Sequence, residues 1–256
     1  MYLSHNNAQL YTVEFGNGPR TFVAHGGWTG SWELWTEPFS QLSKTWRTVA
    51  YDHRGTGATI APVESISVAN MVDDLFAVLD QLNIEKCILA GESAGGIVVV
   101  NAVLQQPGRF NGLVLVDALL HKADDGSDAA FKQGLRISFT EATGNFVDRC
   151  VPVTEPNSSE IRSWGRKILA RASSESAIRL LECIYGTDLR PQLSQIQIPT
   201  LLIHGDADGL VPLSDSEYMA TQLPNNHLHV FKGAGHVPTV TRPLEVAQSI
   251  NQYFVS

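Results

Sequence analysis

Gly91-Glu92-Ser93-Ala94-Gly95 stands between two apolar runs, Cys87-Ile88-Leu89-Ala90 before it and Gly96-Ile97-Val98-Val99-Val100 after it. The first run has the length of a buried strand and the second opens a helix, so this G-x-S-x-G falls at a strand-to-helix turn. Such a sharp turn forces the serine into a strained backbone conformation, and a Cβ two positions before or after it would crowd the turn, hence glycine at 91 and 95. The hydroxyl is then held clear of the sheet edge, which makes Ser93 a candidate nucleophile. The bare pattern recurs by chance, so its partners carry the argument.

A nucleophilic serine needs a base within hydrogen-bond reach and a carboxylate to fix the tautomer of that base. Thr200-Leu201-Leu202-Ile203-His204 reads as a buried strand, followed by a loop with Asp206 and Asp208 before Val211-Pro212. His227-Leu228-His229-Val230-Phe231 reads as a last strand, followed by Gly233-Ala234-Gly235-His236. The chain order Ser, Asp, His, each member just past a strand, separates this arrangement from those of chymotrypsin and subtilisin.

With these motifs the chain resembles a serine α/β-hydrolase, close to the esterase, enol-lactonase and cofactor-free haloperoxidase group, over nearly its whole length. His25-Gly26-Gly27-Trp28 matches the family's oxyanion loop and Asp52-His53-Arg54-Gly55-Thr56-Gly57 its D-x-R-G-x-G turn. Gly205-x-x-Asp208-x-x-Val211-Pro212 matches the acid loop, and Gly233-x-Gly235-His236 the base loop. The resemblance implies an α/β fold of the α/β-hydrolase type, with a mostly parallel eight-stranded sheet, helices on both faces and an inserted helical cap. It implies hydrolysis of a small or medium carboxylic ester or lactone through an acyl-serine. Ser93 would be nucleophile, His236 base and Asp208 acid, with the amides of Ala94 and Gly27 as oxyanion donors and Trp28 as second choice to Gly27.

Rival assignments exist at several of these positions. Asp206 competes with Asp208, although family spacing to Val211-Pro212 favours Asp208, and Asp117 stands where some relatives carry their acid. His25 and His53 read as loop-shaping side chains. Many relatives carry His or Gln where this chain has Glu92, which is expected to point away from substrate and hydrogen-bond nearby backbone. A serine nucleophile sets aside the dehalogenases and epoxide hydrolases of this fold, which work through an aspartate ester. C–C hydrolysis, perhydrolysis and cyanohydrin cleavage reuse similar triads, and a ligand receptor that keeps the triad without turnover is a further alternative, because the fold does not specify the acyl or leaving group.

Composition bounds the partners. With 43% hydrophobic and 17% charged residues over 256 positions, the chain can bury one large core. A net charge of −8 argues against nucleic acid or an anionic membrane surface. The N-terminal stretch is polar and interrupted, and no apolar run of membrane-spanning length follows, so a cytoplasmic protein is expected. The cysteines at 87, 150 and 183 have neither metal nor redox spacing and read as buried thiols. No histidine pair has metal-ligand spacing such as H-E-x-x-H, so neither a metal nor another cofactor is expected. The oligomeric state is left open.

Strand and helix signals alternate along most of the chain, as a mostly parallel sheet covered on both faces requires. Strands are expected over 2–5, 9–15, 20–24, 46–51, 86–91, 112–117, 199–204 and 227–232. A helix is expected over 67–83, where Val68, Met71, Val72, Leu75, Val78, Leu79 and Leu82 share a face, and a closing helix over 242–255. The alternation breaks after Asp117. Residues 1–118 and 196–256 therefore read as the core and 119–195 as a helical cap, with helices near 128–139, 159–171 and 174–185 and no convincing strand. Phe131, Phe139, Phe146, Trp164 and Tyr185 are the cap aromatics expected to surround an apolar substrate group.

Overall fold

A computed structural model describes residues 1–255. The chain opens with a hairpin, β1 (Tyr2–His5) and β2 (Ala8–Phe15), followed by β3 (Arg20–His25), helix α1 (Thr36–Leu42) and β4 (Trp46–Tyr51). Next come α2 (Val68–Gln81), β5 (Cys87–Glu92), α3 (Gly95–Gln105) and β6 (Phe110–Val116). The eight-stranded sheet is completed by β9 (Thr200–Gly205) and β10 (Asn226–Phe231), in the order β1-β2-β4-β3-β5-β6-β9-β10. From β4 to β10 all pairs are parallel, and β2 joins β4 antiparallel.

Side-chain alternation on β5 divides the core. Leu89 packs with the α2 and α3 residues Leu75, Leu79, Val99 and Val103 on one face. Ile88 and Ala90 pack on the other, with Trp35 and Phe39 of the α1 region, Trp46 of β4, and Val246 and Ile250 of the last helix, α10 (Pro243–Val255). Burial on both faces explains why β5, β6 and β9 read as continuous apolar runs instead of alternating ones. The expected helix over 67–83 is α2, and Ser67 caps it by accepting from the Asn70 amide at 3.1 Å.

Between β6 and β9 the chain leaves the main sheet and forms α4 (Ala129–Ile137), α5 (Phe139–Cys150), α6 (Ser158–Leu169) and α7 (Ser174–Glu182). The absence of strand expected there is corrected: β7 (His121–Lys122) pairs antiparallel with β8 (Thr187–Asp188) and ties the two ends of the segment together. Two residues per strand are too short to leave an alternation signal. Helix α5, also not expected, carries Phe146, Val147 and Cys150 at four, five and eight residues beyond Ala142, a helical stripe masked by the polar residues between them. The remaining helices, α8 (Leu213–Gln222) and the short α9 (Pro238–Thr241), flank β10. No described helix is long and apolar enough to cross a membrane.

Strand order reverses around β3 and β5, because β4 lies on one side of β3 and β5 on the other. Loops leaving the carboxyl ends of two such strands diverge and open a crevice. The loop beginning at Gly26 and the turn at Ser93 leave those two ends.

Candidate active site

Ser93 has φ +53°, the left-handed backbone expected of the turn. A Cβ on Gly95 would overlap the Gly26 carbonyl oxygen, and one on Gly91 would overlap the Val99 side chain, so the turn tolerates only glycine at both places. The Ser93 amide is anchored on the Val116 carbonyl at 2.9 Å. Strain at this residue is held by its surroundings and projects the hydroxyl outward.

The hydroxyl meets His236. Ser93 Oγ lies 2.8 Å from His236 Nε2, and His236 Nδ1 lies 2.7 Å from Asp208 Oδ2. With Nδ1–H donating to the carboxylate, Nε2 is left as acceptor for the serine proton. Asp208 also accepts the amides of Leu210 at 2.7 Å and Val211 at 3.0 Å through Oδ1. Burial raises its pKa, but the hydrogen bond and charge of His236, together with those amides, outweigh burial and hold the carboxyl below its ordinary range. Asp206, exposed on the same loop, accepts the Gly233 amide at 2.6 Å and does not reach His236.

Asp117 is fully buried, accepts the Gly205 amide at 2.9 Å and has no partner on Oδ2. Burial, and then the charge of Asp208, push its pKa well above the usual carboxylate range. Beside them His204 is buried between Ser216 Oγ at 2.7 Å and the Val211 carbonyl at 3.1 Å. Desolvation lowers its pKa, so it is a neutral brace for the acid loop.

Gly27 runs against Ser93. A Cβ built on it would lie 3.1 Å from Ser93 Cβ and 3.7 Å from Oγ. Its carbonyl is 2.9 Å from His53 Nε2, and the His53 ring stacks on His25 with centroids 4.9 Å apart. Burial and the neighbouring His53 push His25 down to about 3, so both imidazoles are neutral loop-shaping groups. Among the described residues, neither the Gly27 amide nor that of Ala94, at the start of α3, donates to a protein acceptor.

Two cavities meet at Ser93 and His236. The smaller, about 70 Å³, is walled by apolar side chains that include Leu34, Val147, Ile161 and Trp164. The larger, about 550 Å³, is lined by Leu119, Phe131 and Ile184 and also by Lys122, Asp128, Asn145 and Arg149. Trp28 and Phe146 belong to both and form the partition, with ring centroids 4.8 Å apart. The Trp28 indole is fixed by donating to the Ala177 carbonyl at 2.8 Å.

Of the aromatics named from sequence, Trp28, Phe131, Phe146 and Trp164 line these cavities. Phe139 and Tyr185 do not, and their expected place is corrected. Phe139 opens α5 and packs, partly buried, against the larger core cluster, while the Tyr185 ring lies under Lys132 Nζ at 5.0 Å. The expectation for Glu92 is corrected as well. It lines the small cavity and accepts from the Thr239 hydroxyl at 3.1 Å instead of from backbone. Cys150, expected only as a buried thiol, and Thr29, not singled out in the sequence, line the same cavity; the α5 stripe was the available signal for Cys150. Cys87 and Cys150 are buried and Cys183 is half-buried.

A model of the alpha/beta hydrolase fold matches residues 20–243, a span that includes the turn at Ser93, Asp208 and His236. The chain belongs to the alpha/beta hydrolase fold family. Among curated relatives of this α/β hydrolase, the "Putative carbamate hydrolase RutD" of Pseudomonas syringae is 27% identical over 96% of this chain and 97% of its own length. The pimeloyl-(acyl-carrier protein) methyl ester esterase of Nitrosomonas europaea is 27% identical over 92% of this chain and 96% of its own. Among solved structures, the enol-lactonase of Burkholderia xenovorans superposes with a TM-score of 0.92 at 19% identity, over 100% of both chains, a likeness of fold.

Proposed function

We propose that the protein is a serine hydrolase that cleaves a small or medium carboxylic ester or lactone through an acyl-serine intermediate. The observation that carries this reading is the hydrogen-bonded series from Ser93 Oγ to His236 to Asp208, at 2.8 and 2.7 Å, where two cavities meet. His236 Nε2 takes the serine proton as Oγ attacks the acyl carbon, and the imidazolium is stabilised by the ionised Asp208. Negative charge on the former carbonyl oxygen is met by the amides of Gly27 and Ala94, each such donor contributing about 3 to 4 kcal/mol in the transition state. Collapse breaks the bond to the leaving oxygen, which receives the proton from His236. Water then attacks the acyl-serine, giving its proton to Nε2, and the carboxylic acid leaves as Oγ is reprotonated.

The unequal cavities support a division of the substrate. The small apolar one suits a short acyl group, and the larger one, with its charged and amide side chains, suits a bulkier or more polar leaving group. In this reading helices α4 to α7, over residues 119–195, are a cap that selects substrate and excludes water. The names of the relatives place esters, lactones and carbamates in one test panel. Turnover of nitrophenyl esters that falls as the acyl chain lengthens is the expected result; a folded protein that turns over no ester, lactone or carbamate would overturn the reading. Single-turnover modification of Ser93 without multiple turnovers would favour a receptor instead.

A further inference from the structure

The larger cavity carries a positive charge that the acyl-transfer steps do not use. Lys122, Asp128 and Arg149 line it, and Lys122 Nζ is already paired with Asp128 at 2.7 Å. Arg149 is exposed, and among the described residues no carboxylate pairs with it; Nη2 donates to the Gly209 carbonyl at 2.9 Å. A guanidinium has five N–H donors, so this contact fixes the group and leaves most of its donors open. Asn145 lines the same cavity four residues earlier on α5, is exposed, and makes no side-chain hydrogen bond among the described residues. Residues four apart on a helix are neighbours on one face. An unneutralised cation and a free amide donor therefore stand side by side on the wall of a cavity that Ser93 and His236 also line.

Their place in the site assigns them to one part of the substrate. Gly209, which holds the guanidinium, follows Asp208, whose carboxylate lies 2.7 Å from His236 Nδ1. Cys150, which follows Arg149, accepts the His236 amide at 2.8 Å. The cation thus borders the loops of the residue that returns a proton to the leaving oxygen, in the cavity assigned to the leaving group. The small cavity presents Leu34, Val147 and Ile161 and neither lysine nor arginine, so a carboxylate placed there would lose its hydration without a counter-charge. Resting on the acyl-serine reading, we propose that Arg149, with Asn145, is a specificity-determining residue that binds a carboxylate on the leaving-group part of the substrate. The preferred substrates are then esters of a short apolar acid with a hydroxy acid. A net charge of −8 gives an anion no long-range attraction, so the preference depends on contact with this wall.

The test compares 3-(4-acetoxyphenyl)propanoate with its primary carboxamide on the full-length protein and reads the ratio of their kcat/KM values. Methylenes insulate the varied group from the phenol oxygen, so the two leaving groups react alike, and homologues with one methylene fewer or more cover the reach of the side chain. The best pair should favour the carboxylate by at least about fivefold, the upper range for an ion pair open to solvent, and Arg149→Gln should abolish that preference. Arg149→Lys keeps the charge without the planar fork and should retain part of it, and Arg149→Glu should reverse it. Asn145→Ala should lose a smaller part. Raising the ionic strength from about 0.05 to about 1 M should lower the ratio of the unsubstituted protein and leave that of Arg149→Gln flat. The salt dependence of the unsubstituted protein requires no variant to fold.

Absence of a carboxylate preference at every spacer length, or a preference that persists in Arg149→Gln, would overturn the proposal. So would an Arg149-dependent preference seen with the monophenyl ester of adipic acid over its terminal carboxamide and not with the acetoxyphenyl pairs, because the carboxylate would then belong to the acyl part. Absence of turnover with every ester would overturn the acyl-serine reading and this proposal together, whereas turnover indifferent to the carboxylate overturns this proposal alone.

Discussion

The backbone amide of His236 donates to the carbonyl oxygen of Cys150 over 2.8 Å, so the loop that carries His236 hangs on the end of α5. The next residue back repeats the attachment: the Gly235 amide donates to Glu155 Oε1 at 2.9 Å, and Glu155 pairs with Arg242 at 3.0 Å. A Cβ on Gly235 would overlap the Cys150 carbonyl and the Pro152 ring. The segment between β6 and β9 therefore anchors the His236 loop, whose Nε2 lies 2.8 Å from Ser93 Oγ, and Cys150 at the end of α5 belongs both to this anchor and to the small cavity's wall.

Removing that support should lower activity through position. Glu155→Ala leaves the Gly235 amide without its acceptor and the Arg242 guanidinium without its buried ion-pair partner, and should cost about 1 to 3 kcal/mol of stability. It should also lower kcat by at least about tenfold, since small displacements of a catalytic group are costly. Denaturant unfolding and steady-state kinetics check both. Unchanged kcat with reduced stability would confine Glu155 to the fold.

The two loop aspartates separate by geometry. Asp208→Asn should lower kcat by about 10³ to 10⁴, because an amide favours the wrong imidazole tautomer, while Asp206→Asn should cost less than about tenfold. Parallel kinetics of the two variants decide the assignment. Greater damage from Asp206→Asn would contradict it.

Cavity size should set chain-length preference. Trp164 forms part of the outer wall of the small cavity and Phe146 part of the partition. Trp164→Ala and Phe146→Ala should shift preference toward longer or bulkier acyl groups by about tenfold in at least one case, since one methylene is worth about 1 to 3 kcal/mol of discrimination. A graded acyl series gives the profile, and an unchanged profile would mean that these walls do not shape the acyl site.

Glu92 should make stability fall as pH rises. Its native carboxyl titrates near 8, whereas the unfolded chain ionises near 4.5, so between those values the native state binds more protons and loses stability with increasing pH. The loss approaches about 1.4 kcal/mol per pH unit at most. Glu92→Gln removes it, so the stability of this variant relative to the unsubstituted protein should rise from about pH 5 to about pH 8. Thermal or denaturant unfolding across that range measures the difference; a constant difference would mean that Glu92 is ionised in the native state.

Much of this architecture was legible in the chain. The β5, β6 and β9 runs are apolar because they are buried on both faces, and the Gly91-to-Gly95 spacing is dictated by close contacts with Gly26 and Val99. Strand ends expected at 91, 117, 204 and 232 shift by one residue, to Glu92, Val116, Gly205 and Phe231, where loop backbone pairs beyond or short of the apolar run. What escaped depends on contacts between distant segments. The β7–β8 pair is too short for a pattern, and Phe139 and Tyr185 carry the same apolar signature as Phe146 although they pack elsewhere. The Glu92 side chain takes its place from Thr239, 147 residues along the chain. Local spacing does not encode such meetings.

The most direct measurement of the central claim is labelling by a fluorophosphonate probe with peptide mapping, combined with the kinetics of Ser93→Ala. The account expects stoichiometric modification at Ser93 alone, and a folded Ser93→Ala protein whose kcat is lower by about 10⁴ to 10⁶. Stoichiometric modification at another serine, or near-normal turnover by Ser93→Ala, would contradict it.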